Sequence, residues 1–162
     1  KEQPEQAVKL LGGSGDWPAR LAKIDWSLGN EVRGRAVFER KACHRCHTGA
    51  TRLGPDLAGA IKRSSREDLF TAIYDPSREV SPTYQTLQIE TTGGRLFVGL
   101  PVYVSPDGVI LQTGPDATVR IVGGEIASQR KSSLSLMPAG LLDGLHDDDL
   151  ADLAKYLETL AK

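Results

Sequence analysis

The sequence predicts a mainly α fold that carries a small antiparallel β-sheet between its second helix and a methionine loop. Three observations predict it. Helix signals frame the two ends of the 29–162 region, each with apolar residues at helical spacing. The run Cys43-His44-Arg45-Cys46-His47 closes the first of these helices. Residues 83–122 then switch to alternation of period two, the mark of strands.

Length and charge bound the rest. A chain of 162 residues can bury one real core, or a small core with an insert. The net charge of −1 excludes a general attraction to nucleic acid or to anionic membranes. No stretch is long and apolar enough to span a bilayer. We expect residues 1–28 to be an extension or linker and 29–162 to be the domain, with its β-rich insert at about 83–126.

Gln6 to Leu11 predicts a short helix stopped by Gly12-Gly13. Asp16-Trp17 and Asp25-Trp26 look alike without making a repeat, and both tryptophans are expected to pack on the domain. Residues 30–42 read as a helix with Asn30 as N-cap and Glu31 in the first turn. Val32, Ala36 and Val37 supply a mixed apolar face beside Phe38, and Gly34 stands on the same side as Phe38. A helix-interior glycine costs about 1 kcal/mol against alanine, which is reasonable where a second helix must come close.

The Cys43–His47 run reads as a site of covalent haem attachment. On one helical turn the two thiols reach the two vinyl groups of one porphyrin, and the next histidine offers the iron a nitrogen. Cys43 and Cys46 would become thioethers, with His47 the fifth ligand and iron the metal. Three other readings are weaker. A thioredoxin-like pair wants a preceding strand in a βαβ unit. Structural zinc wants four ligands, and the chain has two cysteines and, outside this run, only His146. A plain buried cysteine pair is the bland option. After the run, Gly54-Pro55 marks a turn, and the Pro55 carbonyl is the candidate acceptor for the second N–H of His47. Leu57 would then lie against the porphyrin. An ordinary loop is the alternative for this stretch.

Ser64 and Glu67 form a capping box that starts the second helix, and Asp75-Pro76 stops it. About four strands follow: one around Leu87 and Ile89, a long run from Leu96 to Val104, then Val109–Gln112 and Val119–Val122. Turns fall at Gly93-Gly94, at 106–108 and at 114–116. Pro101 places its strand at an edge or at a bulge. Residues 130–140 are expected to be a loop that holds Met137, the only methionine, before Pro138. A thioether is a soft ligand suited to haem iron, whereas most methionines simply fill cores. Beside the haem motif, Met137 becomes the candidate sixth ligand. The last helix spans about 147–161, with Leu150, Leu153, Ala154, Leu157 and Leu160 on one face. Asp147, Asp148 and Asp149 suit its positive N-terminus rather than a metal.

Gly34 and Phe38, Cys43 to His47, 54–57, Met137-Pro138, and Leu150 to Leu157 with Tyr156 together resemble a class I cytochrome c. More closely, Ser135-Leu136-Met137-Pro138-Ala139-Gly140-Leu141 and the strand run after Pro82-Thr83-Tyr84 resemble the haem-binding domain named for Pirellula and Verrucomicrobium. The resemblance covers about residues 29–160, with His146 where that type has Ser or Thr. It implies a mainly α cytochrome c fold with the β insert, one covalent haem c, and His47 and Met137 on the iron. It also implies a first helix crossing the last at the glycine and aromatic positions. Such domains often sit at the C-terminal end of large exported proteins that include predicted sugar dehydrogenases.

Three functions are compatible with these residues. The first is a one-electron carrier with both axial positions closed, serving a dehydrogenase donor and an oxidase or cytochrome acceptor, periplasmic or otherwise exported. No signal peptide is present at Lys1, so Lys1 is read as the start of a processed protein or excised domain. The second is a haem-based ligand sensor or peroxidase-like enzyme, which needs a displaceable sixth ligand. The third is a docking module whose β insert binds the partner. Arg40, Lys41, Arg45 and Arg52 predict a mildly basic side near the haem edge, against an acidic last helix.

Overall fold

The computed structural model describes residues 15–48 and 53–162. Its elements run α1 (Trp17–Leu21), α2 (Glu31–Arg40), α3 (His44–His47), α4 (Leu57–Arg63), α5 (Arg66–Tyr74), β1 (Leu87–Thr91), β2 (Leu96–Ser105), β3 (Gly108–Gly114), β4 (Ala117–Val122), β5 (Ile126–Lys131) and α6 (Asp147–Leu160). The expected helix at Gln6 to Leu11 lies outside the described residues.

The expected fold class is overturned. Of the described residues 40% are helical and 24% lie in strands, and the strands form one five-stranded antiparallel sheet in the order β4-β3-β2-β1-β5. This is a mixed α and β architecture, not a mainly α cytochrome c fold with a small insert. The strand without a sequence signal is β5. Ile126 is its only large apolar residue, and the other five residues are exposed, so it carries no alternation. Pairing with β1 from Leu87↔Lys131 to Thr91↔Ile126 holds it in the sheet. Backbone hydrogen bonds, which need no particular side chains, make this strand. The expected loop at 130–140 therefore begins only after Lys131.

The helices and strands bury separate cores. Val37, Phe38, Phe70, Leu142, Leu150, Leu153 and Leu157 anchor the helical core, and Trp17, Leu21 and Ile24 belong to it. The segment before residue 29 thus packs into the domain from Trp17 onward. Trp17 stacks on Tyr74 at 5.9 Å between ring centroids, and Trp26 tilts onto Phe70 at 5.1 Å. The two look-alike dipeptides share a cap: Asp16 accepts from the Ala19 N–H, and Asp25 from the Ser27 N–H. Ile89, Val109, Leu111 and Ile121 form the second core inside the sheet.

Asn30 caps α2 as expected, accepting from the Val32 and Arg33 N–H groups at 3.0 Å each. Gly34, Val37 and Phe38 are buried, but Val32 is 72% exposed and Ala36 is exposed too. The buried stripe of α2 is therefore narrower than expected. It crosses α6 at Gly34, where an added Cβ would overlap the Asp152 carbonyl oxygen and stand 2.8 Å from Tyr156 Cβ. Phe38 meets Tyr156 at 5.2 Å. Asp152 is 3% exposed and pins the crossing. It takes the Arg33 guanidinium at 2.6 and 2.9 Å and the Asn30 N–H at 2.7 Å.

One boundary differs from expectation. The capping box that starts α5 uses Ser65 and Asp68, one residue on from Ser64 and Glu67. Helix α4, for which the sequence carried no expectation, follows the Gly54-Pro55 turn, and Asp56 caps it through the Gly59 N–H. In the sheet, β2 pairs with β1 only through Gly99 and with β3 from Leu100, with a register shift between Pro101 and Tyr103. Pro101 therefore sits at a bulge and beyond the β1 pairing, where its missing N–H costs nothing.

Candidate functional site

A backbone kink delivers the cysteine run. Helix α2 ends at Arg40, Ala42 turns into the left-handed region at φ 58°, and the Cys43 N–H returns to the Phe38 carbonyl at 3.1 Å. The single turn α3 then presents Cys43, Cys46 and His47, all half-buried, while His44 and Arg45 are exposed. Both cysteines are free thiols. Burial pushes each thiol above the ordinary cysteine range, although the Arg45 charge pulls Cys46 back. A redox dithiol needs the opposite, a thiol made acidic. Among the described residues no strand precedes the run to build a βαβ unit. Among the described residues no group of three or more His, Cys, Asp or Glu could hold a metal ion by itself, so a structural zinc cluster finds no ligand set here.

Residues 53–55 lie against α3 and His47. The N–H groups of Leu53 and Gly54 both donate to the Cys46 carbonyl, at 3.1 and 3.2 Å. That brings the Pro55 carbonyl to 2.9 Å from His47 Nδ1. A carbonyl only accepts, so Nδ1 carries the proton and donates. The lone pair of the neutral ring is then on Nε2. Gly54 backs the ring. A Cβ there would stand 2.5 Å from His47 Cε1 and 2.9 Å from Nδ1. The ring is held flat against backbone that only glycine permits, with its free nitrogen defined. The residue pattern singled out Pro55 but not Gly54, whose role is visible only as a missing side chain.

Leu57 opens α4 and packs, with Cys43 and Ile61, against the helical core. Met137 lies elsewhere in the chain, half-buried on the loop between β5 and α6. Its N–H donates to Ser135 Oγ at 3.1 Å. The described hydrogen bonds thus bring Cys46, His47 and Pro55 together and tie Met137 to a different set of residues. These residues fit a covalent haem: two unpaired thiols on one helical turn, then an imidazole oriented by its outer nitrogen.

Two of the four cations expected to form a basic side are ion-paired. Arg40 meets Asp149 at 3.2 Å and Arg45 meets Asp116 at 2.9 Å, while the Lys41 ammonium donates to the Asp143 carbonyl at 2.8 Å. Arg52 lies outside the described residues. Asp116 belongs to the β3–β4 turn, so the sheet reaches the cysteine run through this ion pair. The three aspartates that open α6 do diverge: Asp147 pairs with Arg20 at 2.8 Å, and Asp149 accepts from the His146 N–H at 3.0 Å. Among the described residues, no helix is long and apolar enough to cross a membrane. No protein-family model and no curated protein matches the chain.

Proposed function

We propose that this chain is a mono-haem c-type electron-transfer protein or domain. Cys43 and Cys46 would hold the porphyrin through thioethers, and His47 Nε2 and the Met137 sulfur would take the two axial positions. When bound, the haem supplies a one-electron iron couple. The observation that carries the reading is the His47 ring, whose Nδ1 donates to the Pro55 carbonyl at 2.9 Å while Gly54 backs its face. Metal-bound histidines are held in this way, because the outer hydrogen bond fixes the tautomer and raises ligand basicity. A thioether as sixth ligand raises the reduction potential and leaves no open position for substrate. The redox partners proposed are an exported dehydrogenase as donor and an oxidase or cytochrome as acceptor, in the periplasm or an equivalent compartment.

Two variants test this. Denatured wild-type protein, expressed with haem-attachment machinery, should keep its colour through acid–acetone extraction, and Cys43→Ala with Cys46→Ala should lose it. The ferric wild type should show the near-infrared sulfur-to-iron charge-transfer band, and Met137→Ala should abolish it and lower the potential. Extractable haem in the wild type would sink the attachment. An unchanged band in Met137→Ala would remove the methionine from the iron.

A further inference from the structure

The stretch from Ser132 to Met137 is held by side-chain hydroxyls from three separate parts of the chain. The Ser132 N–H donates to the Thr86 carbonyl at 2.9 Å. Thr86 Oγ1 donates back to the Leu134 carbonyl at 2.7 Å, and the Leu134 N–H donates to Ser132 Oγ at 3.1 Å. The Ser135 N–H donates to Ser77 Oγ at 3.0 Å, and the Met137 N–H to Ser135 Oγ at 3.1 Å. Pro138 follows and has no N–H to satisfy. Ser132, Leu134, Ser135 and Met137 itself are therefore each anchored through the backbone.

Their position in the fold explains what they do. Thr86 immediately precedes β1 and Ser132 immediately follows β5, and these two strands are neighbours that pair from Leu87↔Lys131. Thr86 and Ser132 thus close the base of the sheet. Both are buried, at 0% and 2% exposure. Ser77 comes from the segment just after α5. The joint is polar because the sheet and the helices bury separate cores. Short hydroxyl side chains suit it, since they satisfy backbone groups at the cost of little side-chain entropy.

We propose that this hydroxyl clasp, with Thr86 at its centre, is the device that positions Met137 for the iron, and that positioning the methionine is what the base of the sheet contributes. The proposal rests on the axial role given to Met137 above. Thr86 itself touches no cofactor in this scheme. It is a positioning residue that acts through the Leu134 carbonyl, three residues before the sulfur. A weakly bound thioether depends on such preorganisation, because any freedom in its loop must be lost each time it ligates.

The experiment is competition for the sixth position by imidazole in the ferric holoprotein, followed at the sulfur-to-iron band. Imidazole binds only when Met137 leaves, so its apparent Kd reports how firmly the loop holds the sulfur. Thr86→Val keeps the shape and removes the hydroxyl, leaving the partly buried Leu134 carbonyl without that donor. It should bind imidazole about tenfold more tightly, the order expected for one partly buried hydrogen bond lost. Thr86→Ser restores the hydroxyl and should return to within about twofold of wild type. Ser135→Ala, which removes the acceptor of the Met137 N–H, should move the same way as Thr86→Val, and it carries the test if Thr86→Val does not fold. Wild-type imidazole affinity in Thr86→Val, or in Ser135→Ala where Thr86→Val does not fold, overturns the clasp, while an intact band in wild type leaves the methionine ligand standing. A wild type with no such band overturns both.

Discussion

Adding one methyl group at residue 34 separates two physical effects of opposite sign. In a helix facing solvent, glycine to alanine stabilises by about 1 kcal/mol, through lower backbone entropy in the unfolded chain. At residue 34 the new Cβ overlaps the Asp152 carbonyl oxygen and lies 2.8 Å from Tyr156 Cβ. Ordinary contact begins at 3.4 Å, so α2 and α6 must part by at least 0.6 Å at Tyr156, and by more at Asp152. The obstacle at Asp152 is backbone inside a helix and cannot swing aside. Overpacking of this kind costs about 1–3 kcal/mol, and a backbone clash belongs at the upper end. Parting the helices also lengthens the bonds of the buried Asp152 to Arg33 and Asn30, now 2.6 to 2.9 Å. Net of the helix-propensity gain, Gly34→Ala should destabilise by about 2 kcal/mol. For a chain of this length that lowers Tm by about 4–8 °C. Gly34→Leu should be worse. Thermal unfolding followed by circular dichroism measures both. A Gly34→Ala protein melting at or above the wild-type temperature would show that the helices do not cross at residue 34.

Gly54→Ala should disturb the iron ligand without releasing the haem. The methyl group meets the His47 ring 2.5 Å from Cε1, so the ring must turn off its Pro55 acceptor. Loss of an outer partner commonly costs 10–100-fold in metal affinity or activity. The expected signs are a high-spin ferric component and a shifted potential, with the colour still resistant to extraction, and an unaltered spectrum would refute the backing role. Asp149 gives a pH signature. Its carboxyl lies below the usual value, first because the His146 N–H binds the charged form and also because Arg40 faces it. A group depressed in the folded state contributes stability above its unfolded pKa of about 3.9 and loses it as pH falls through the folded value. Asp149→Asn should therefore melt below wild type at pH 7 and approach it below about pH 4. A gap that stays constant from pH 7 to pH 3 would contradict the linkage.

The parts legible in the sequence are those whose physics is local. Asn30 caps α2 because its side chain reaches N–H groups two and three residues ahead. Gly34 and Phe38 share a face by helical spacing alone. Pro55 was identifiable because an oriented histidine needs an acceptor nearby, and only a short loop follows His47. What escaped depends on partners remote in sequence or on choices between equal frames. Ser64-Ser65 followed by Glu67-Asp68 offers two capping boxes, and the chain uses the second. Helix α4 has only Leu57 and Ile61 as large apolar residues, too few for a periodic signal, and packing on the helical core supplies what propensity does not. Strand β5 has one large apolar residue and exists through its ladder to β1. That one strand turned an expected sheet of about four strands into a five-stranded sheet.

The same distinction separates the two halves of the candidate site. The His47 half is built within thirteen residues, from the Cys43 thiol to the Pro55 carbonyl, and its hydrogen bonds connect neighbours in sequence. It needs nothing from the sheet to orient its imidazole. The Met137 half draws on Ser77, Thr86 and Ser132, and Thr86 is 48 residues from the Leu134 carbonyl it binds. A loop with partners that distant forms only after the sheet has closed, because β1 and β5 must pair before Thr86 and Ser132 meet. The proximal side is thus local in sequence, and the methionine side depends on the pairing of β1 with β5. The polar joint makes this workable. Two bodies with separate cores can each fold on their own apolar surface and then register through directional hydrogen bonds, which fix a geometry that apolar contact alone leaves loose. Every described buried side-chain polar atom has a partner, so removing one hydroxyl leaves a partly buried group bare. The penalty falls on the methionine loop rather than on either core.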